Sequence, residues 1–463
     1  VSDAPGDPSG PLAALPSYQP TAGPRTSAPV ESVWRLLPLL SGEVVGLEPA
    51  SVTAFLRHSL PATWSLFRGV SRVAPLPPRI RRESAARHPE EEDDEPRARA
   101  LLATCSDAVG TRVASGALDV SLSGGVDSAV LCTLAARHAP GQVRAWSMDV
   151  HFADAVERHN ARTVARLAGV EQVDVPIPDA LLPDLFEPAV IANESAILNA
   201  RAVASFAFYA EAKRLGASVM LSGAGADEVL RGNPLALASA LARIEEDRRL
   251  ARTVLRAAVD NLGRSPDEAR GGPWSQEDGP ALSDAARGGP WSLQDTEVSE
   301  EVRYAEWVLR ELVLPPELRG ARAHGLTVHT PYLDSRFADV ALSLPKSSLV
   351  REGVGKWLFR HAVRGLVPDE VRLARKTPRY GHTALSSPVR ARWLELYRAW
   401  LAASRLEPLE VIDPKAVLTL LERYTRMEPE APEADGVDRL LMRLCSLAML
   451  HAHAAHGSPC PES

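Results

Sequence analysis

The chain has 463 residues, 45% hydrophobic and 24% charged, with a formal net charge of −7. That is globular composition, with apolar material for two or three cores of roughly 150 residues each, and it excludes disordered and fibrous architectures. The balance of 52 basic against 59 acidic residues excludes a protein that coats nucleic acid through general phosphate attraction. No apolar run approaches the roughly 18 to 20 residues that cross a bilayer. The polar, Pro-rich start from Val1 to Arg25 also lacks the basic-then-apolar layout of a signal peptide. A cytoplasmic protein with no membrane or nucleic-acid partner is expected. The four cysteines, Cys105, Cys132, Cys445 and Cys460, stand too far apart for a CxxC metal or redox pair. Only five lysines occur (Lys213, Lys346, Lys356, Lys376, Lys415) against 47 arginines, so each lysine draws notice.

In chain order, residues 1–30 are rich in Pro, Gly, Ser and Ala without periodicity and read as a disordered leader. Residues 31–80 form a small region, with a helix expected over Glu48–Ser59 and a strand-like alternation over Leu66–Leu76. The charge-blocked stretch around Arg79–Arg99 reads as a solvated linker, placed at 81–96. Alternating periods follow: helix Arg97–Val113, strand Leu118–Leu122, helix Ser128–Arg137, strand Val143–Asp149, helix Asp154–Leu167, strand Gln172–Val175, long helix Ala196–Leu215 and strand Ala217–Leu221. This alternation marks an α/β fold with a parallel sheet. Beyond Asn233 the chain reads as nearly all helical. ARGGPWSQED (Ala269–Asp278) and ARGGPWSLQD (Ala286–Asp295) duplicate one another inside a Gly- and Pro-rich stretch, a surface loop at 263–296 carrying Trp274 and Trp291. A tail is assigned at 456–463.

The segment LDVSLSGGVDSAVL (Leu118–Leu131) places a Gly-containing turn between a strand and a helix. There Ser123, Gly124, Gly125 and Ser128 can offer amides and hydroxyls to a phosphate chain at the positive end of the helix. A side chain at Gly124 or Gly125 would hold the backbone off the anion. The segment resembles the SGGxDS pyrophosphatase loop of enzymes that split ATP into AMP and pyrophosphate. VMLSGAGADEVLRGN (Val219–Asn233) is similar to the second motif of asparagine synthetases. GLTVHTPYLDSRFADVALSLP (Gly325–Pro345), GKWLFRHAV (Gly355–Val363) and LVPDEVRLARKTPRYG (Leu366–Gly381) resemble, in order, that family's Pro-Phe-Leu-Asp, Lys-x-x-Leu-Arg and Arg-x-Lys segments.

The resemblance implies a synthetase domain over 97–455, with a parallel sheet of the adenine-nucleotide α-hydrolase type, flanking helices and a helical C-terminal half. It also implies ATP and Mg²⁺. Leu122, Ser123, Gly124, Gly125, Asp127, Ser128, Met148, Ser222, Gly223 and Lys356 are expected to hold the nucleotide. Asp127 and Asp227 follow two sheet strands and are expected to share Mg²⁺, which takes one or two protein carboxylates beside phosphate oxygens. Lys376 is expected to stabilise the negative charge of the transition states.

Two departures from the family stand out. Thr63–Pro78 looks like the last strands of a glutaminase domain, yet no cysteine precedes Cys105, so 31–80 is expected to be a degenerate remnant without glutamine hydrolysis. At the variable position of Ser-Gly-x-Gly, where asparagine synthetases carry Glu and β-lactam synthetases Tyr, this chain has Ala224, which moves no proton. Glu228, Glu194 and His329 are the replacement candidates by placement, with Glu228 taken as catalytic beside Lys376. The expected activity is an AMP-forming amide ligase that adenylates a carboxylate for attack by an amine. Lactam formation on a precursor peptide, as in lasso peptide cyclases, is its specific form, with a peptide-delivery or leader-processing partner. Asparagine synthesis from free ammonia or with a separate glutaminase, and a non-catalytic partner of the same fold, are the alternatives.

Overall fold

A computed structural model describes residues 15–21, 29–40, 46–73, 94–152, 154–231, 234–256, 300–351, 353–374 and 383–456. Its centre is a five-stranded parallel sheet. Strands β3 (Asp119–Ser121), β4 (Arg144–Asp149), β5 (Glu171–Pro176), β6 (Val219–Leu221) and β7 (Thr327–His329) run in the spatial order β5-β4-β3-β6-β7. Short apolar strands suit a sheet covered on both faces. The pleat sends Ala145 and Leu221 into one core and their neighbours Trp146 and Met220 into the other.

The first core lies under the helices Asp94–Ala114, Val126–His138, Ala155–Ala168, Ser335–Leu342 and Trp357–Ala362. The second gathers Leu182–Asn193, Ala200–Arg214, Arg390–Trp400, Pro414–Thr425 and Ala434–His456 together with the N-terminal residues. Local chemistry sets the helix ends. The Asp154 carboxylate accepts from the amides of Val156 and Glu157 at 2.7 and 3.2 Å, and Gly169 closes the same helix in the left-handed region at φ 64°.

Several sequence expectations are corrected here. Within the expected leader, Ser17–Pro20 is a strand, β1, paired antiparallel with β2 (Val70–Val73). Burial of Tyr18, 1% exposed, orders it. The helix that begins the synthetase domain already includes Asp94 and Glu95, inside the expected linker, and acidic residues favour a helix's first turn. The C-terminal half is nearly all helical, as expected. It also supplies β7, the fifth sheet strand, and a small ribbon of Val350–Arg351 with Val354–Gly355. The long helix before β6 starts at Ala200, capped by Asn199, rather than at Ala196. Residues 263–296, with Trp274 and Trp291, and the tail beyond His456 lie outside the described residues.

The N-terminal residues share the second core and are pinned to it by buried charges. Arg72 pairs with Glu311 at 2.7 Å, both side chains almost fully buried. Arg319 lies 5.2 Å over the Tyr18 ring and donates to the Pro16 carbonyl at 3.1 Å. Arg443 donates to the Phe55 carbonyl at 2.6 Å, and His58 meets Asp247 at 3.0 Å. Burial alone would raise the Glu311 carboxyl, but Arg72 and Arg310 outweigh it and hold it at about 2. Asp247 is likewise held at about 2 against its burial by His58 and Arg443. Burial, aided by Arg443, brings His58 down to about 4. Asp438 moves the other way: burial lifts it to about 6 despite hydrogen bonds from Tyr424 and Tyr397.

Removing one partner of a buried pair strands the other charge. Arg72→Ala should therefore lower unfolding free energy by about 3–5 kcal/mol in urea titration, and replacing both Arg72 and Glu311 by Met should recover most of it. The pH dependence has a definite sign. Between about pH 6.5 and 4 the stability held by neutral His58 is lost on acidification while that opposed by Asp438 is regained. Glu311 and Asp247 both lose their contribution as pH falls from their ordinary range toward 2. The melting temperature should be nearly flat from pH 6.5 to 4 and fall steeply below, as read by circular dichroism.

Candidate active site

From β3 the chain moves outward through β4 to β5, then returns to the other side of β3 for β6 and β7. The loops leaving β3 and β6 therefore diverge at a topological switch point, where open α/β sheets bind ligands at their carboxyl edge. Both sequence motifs are these two loops.

After β3, pairing continues one residue further: Leu122, fully buried, donates its amide to Trp146 at 2.8 Å, and Ser147 Oγ donates to the Leu122 carbonyl at 2.8 Å. The chain then turns at Gly124, φ +85°, so tightly that a Cβ there would sit 1.9 Å from the Glu157 carbonyl oxygen. Only glycine fits this position. Ser128 Oγ accepts from the Ser123 amide at 3.1 Å and donates to the Gly125 carbonyl at 3.0 Å, with Ser123 Oγ also 3.0 Å away. This bracing presents the start of the 13-residue helix Val126–His138, with Asp127 in its first turn. Met148 is half-buried at the carboxyl end of β4.

The loop after β6 begins with Ser222, whose amide donates to the His329 carbonyl at 2.8 Å, and turns at Gly225, φ +87°, into the helix Ala226–Leu230. A Cβ on Gly223 would lie 3.5 Å from the Ser128 nitrogen and 3.7 Å from Asp127 Cβ, so the two loops touch.

Between them stands Lys356. Its Nζ is 2.8 and 2.7 Å from the two oxygens of Asp127 and 2.8 Å from Asp227 Oδ1. Lys356 is 9% exposed, and its backbone is left-handed at φ 55° where the small ribbon meets the helix Trp357–Ala362. Burial by itself would pull its pKa down, but the charges of Asp127 and Asp227 outweigh burial and raise it, so the lysine is a fixed cation. Arg360, one turn on, feels the same two carboxylates. Asp127 is also held from behind, where the buried Tyr332 hydroxyl donates to its carbonyl at 2.8 Å. Tyr332 belongs to the PYLD segment, whose Asp334 caps the next helix and accepts from buried Arg112 at 3.2 Å.

These residues fit a divalent cation bound with phosphates. Two carboxylates from different loops already converge on one positive charge, and Mg²⁺ completes such a pair with phosphate oxygens and water. Among the described residues no cluster of three or more His, Cys, Asp or Glu is built to hold a metal unaided.

The expected nucleotide residues Leu122 to Ser128, Ser222, Gly223 and Lys356 thus meet at one place, with Asp127 and Asp227 at its centre. Glu228 is half-buried beside Asp227 in the same turn. Lys376 lies outside the described residues. Glu194 is placed elsewhere: it is 4% exposed, accepts from Ser32 Oγ at 2.5 Å and the Val33 amide at 3.2 Å, and pairs with Arg319 at 3.4 Å, so it anchors the N-terminal residues. His329 contributes its carbonyl to Ser222.

Sequence reasoning missed Glu317. Its Oε2 accepts from Ser222 Oγ at 2.8 Å and from the Tyr209 hydroxyl at 2.6 Å, and Ser222 Oγ in turn accepts from the Ala224 amide at 3.2 Å. A carboxylate is therefore fixed beside the position where Ala224 provides none. Glu317 lies in a π-helical turn, Pro315–Arg319, a distortion frequent at functional sites, and nothing in its local sequence pattern marks it. Cys105 and Cys132 are buried thiols pushed up to about 12 by that burial, which makes them inert.

The doubly covered parallel sheet, with two glycine turns meeting at its switch point, has the layout of a nucleotide-binding α/β protein. A family model described as asparagine synthase matches residues 100–452, and the chain belongs to that family, the ATP-dependent, AMP-forming amide ligases. No match is found among curated proteins. No helix among the described residues is long and apolar enough to cross a membrane.

Gly124→Ala should abolish ATP binding measured by calorimetry, because the Glu157 carbonyl is rigid backbone. Tyr332→Phe should cost about 1 kcal/mol of stability, the worth of one hydrogen bond, and weaken ATP binding only modestly.

Proposed function

We propose that the protein closes an amide bond within one substrate, adenylating a carboxyl group of a peptide and directing an amine of the same chain onto it, as in lasso peptide macrocyclisation. What supports this reading is the convergence of the Ser123–Ser128 turn, Asp127, Asp227 and Lys356 at one place, beside a Ser-Gly-x-Gly turn altered at Ala224. Attack of an amine on a free carboxylate fails because oxide is a poor leaving group. Adenylation provides AMP instead, and binding provides near-attack geometry. Here the braced loop and helix start orient the triphosphate. Lys356 turns its charge to the phosphates, and Lys376 is assigned to the charge that develops in transfer. Asp127 and Asp227 would hold a divalent cation, which would supply neutralisation of the phosphate charge.

An alkyl ammonium must first lose one proton to solvent to free its lone pair. The neutral amine then attacks the acyl carbon, AMP leaves with the C–O bonding pair, and the nitrogen sheds a second proton as the amide forms. We give that second proton to Glu317, in place of Glu228. Tyr209 keeps its own proton, because burial and then Glu317 raise its pKa, so it orients the carboxylate rather than acting as the base.

The test supplies ATP with linear peptides bearing a free amino terminus and an internal Asp or Glu, and in parallel with free aspartate and ammonium. AMP and pyrophosphate formed in step with loss of one water from a peptide support the reading. Turnover with aspartate and ammonium alone would make the protein an asparagine synthetase, and no ATP consumption with any acceptor would remove the ligase. Asp127→Asn and Lys376→Ala should each lower AMP formation by about 10²-fold or more. Glu317→Gln should depress amide formation about 10²-fold more than it depresses ATP–pyrophosphate exchange.

A further inference from the structure

We infer that the Lys356 ammonium is a resident cation that bars free divalent metal from Asp127 and Asp227, so that metal enters only together with a nucleotide whose phosphates take the ammonium over. The inference rests on the proposed metal role of these two carboxylates. It goes further by assigning the order in which the site fills.

The geometry carries it. An ammonium has three hydrogens to donate, and Lys356 Nζ has three carboxylate oxygens within 2.7–2.8 Å. No donor is left over, and Asp127 spends both its oxygens on the lysine. The side chain has little room to withdraw, being 9% exposed and set on a left-handed residue between the small ribbon and a helix. A divalent ion arriving alone would have to share these carboxylates with a charge of its own sign, or leave a buried ammonium without acceptors, and both are costly. Phosphate oxygens remove both difficulties, because they accept the ammonium's hydrogens and complete the metal's oxygen shell. Arg360, which senses the same carboxylates, adds to the positive field against a bare metal. A purely structural ion pair has the same distances, but it predicts no gain of metal binding when the lysine is removed.

Mn²⁺ is the probe, its free fraction read by electron paramagnetic resonance and its bound fraction by equilibrium dialysis on the full chain. The wild-type protein should retain little Mn²⁺ alone and much more with a non-hydrolysable ATP analogue. Lys356→Met should bind Mn²⁺ without nucleotide at least tenfold more tightly than wild type, with a rise in melting temperature on adding Mn²⁺. Adding Asp227→Asn should erase that gain, and Lys356→Arg should keep the wild-type exclusion. If Lys356→Met does not give a native circular dichroism spectrum, Lys356→Gln takes its place. Equal nucleotide-free binding by wild type and a folded lysine-free variant would overturn the inference while leaving the metal role standing. Failure of Mn²⁺ to bind the wild type even with the analogue would instead remove the metal role, and the exclusion with it.

Discussion

The meeting of one ammonium with two carboxylates at the sheet's switch point is the interaction on which the rest of the site depends. Asp127 follows β3, Asp227 follows β6, and Lys356, at the start of the helix Trp357–Ala362, reaches both. Left unneutralised, two carboxylates this close would repel and push the two loops apart. With the lysine in place, both loops stay closed, and the Ser123 amide and the helix start behind it are held in one arrangement. Preorganisation of this kind lowers the cost of binding, since little must be ordered afterwards.

Around this centre the protein spends buried polar groups on placement. Tyr332 holds the backbone of Asp127, the His329 carbonyl holds Ser222, and Glu317 with Tyr209 fixes the side chain of Ser222. The N-terminal residues are tied down in the same manner by Arg72 with Glu311 and by Arg319 with Glu194. Such ion pairs add little to stability compared with apolar packing, and their use here fits positional specificity.

Much of this was legible in the sequence. The alternation of periods from Arg97 onward located β3 to β6 within a few residues, along with the helices around them except Leu182–Asn193, because short buried strands and amphipathic helices leave opposite signatures. SGGVDS and the SGAGADE turn located the two loops that meet at Lys356, since such tight turns demand glycine at fixed positions. β7 was not legible: Thr327–His329 is three residues long, and its identity as a strand comes only from pairing with β6. The order at Ser17–Pro20 was hidden for the same reason, its partner lying at Val70–Val73. Glu194 looked available for chemistry in sequence, but its surroundings bring Ser32 and Arg319 to it. Glu317 escaped notice because a carboxylate's role is set by what faces it, here Tyr209 and Ser222, both distant in the chain. Lysine scarcity drew notice to Lys356 and, above all, to Lys376, but gave no sign of the two carboxylates that meet Lys356.

The strand order has a further consequence for how the protein comes to exist. Lys356 and Asp127 are 229 residues apart in the chain, and β6 is joined to β7 through the long stretch that contains the duplicated segment. Loop closure grows costlier only with the logarithm of length, so lengthening that connection changes little once the sheet is formed. Forming the sheet, however, requires strands from both ends of this span to find one another, a slow, non-local step. A ribosome-bound or truncated chain ending before Lys356 would carry two facing carboxylates with no cation between them. The ATP site would therefore be among the last parts of the molecule to assemble.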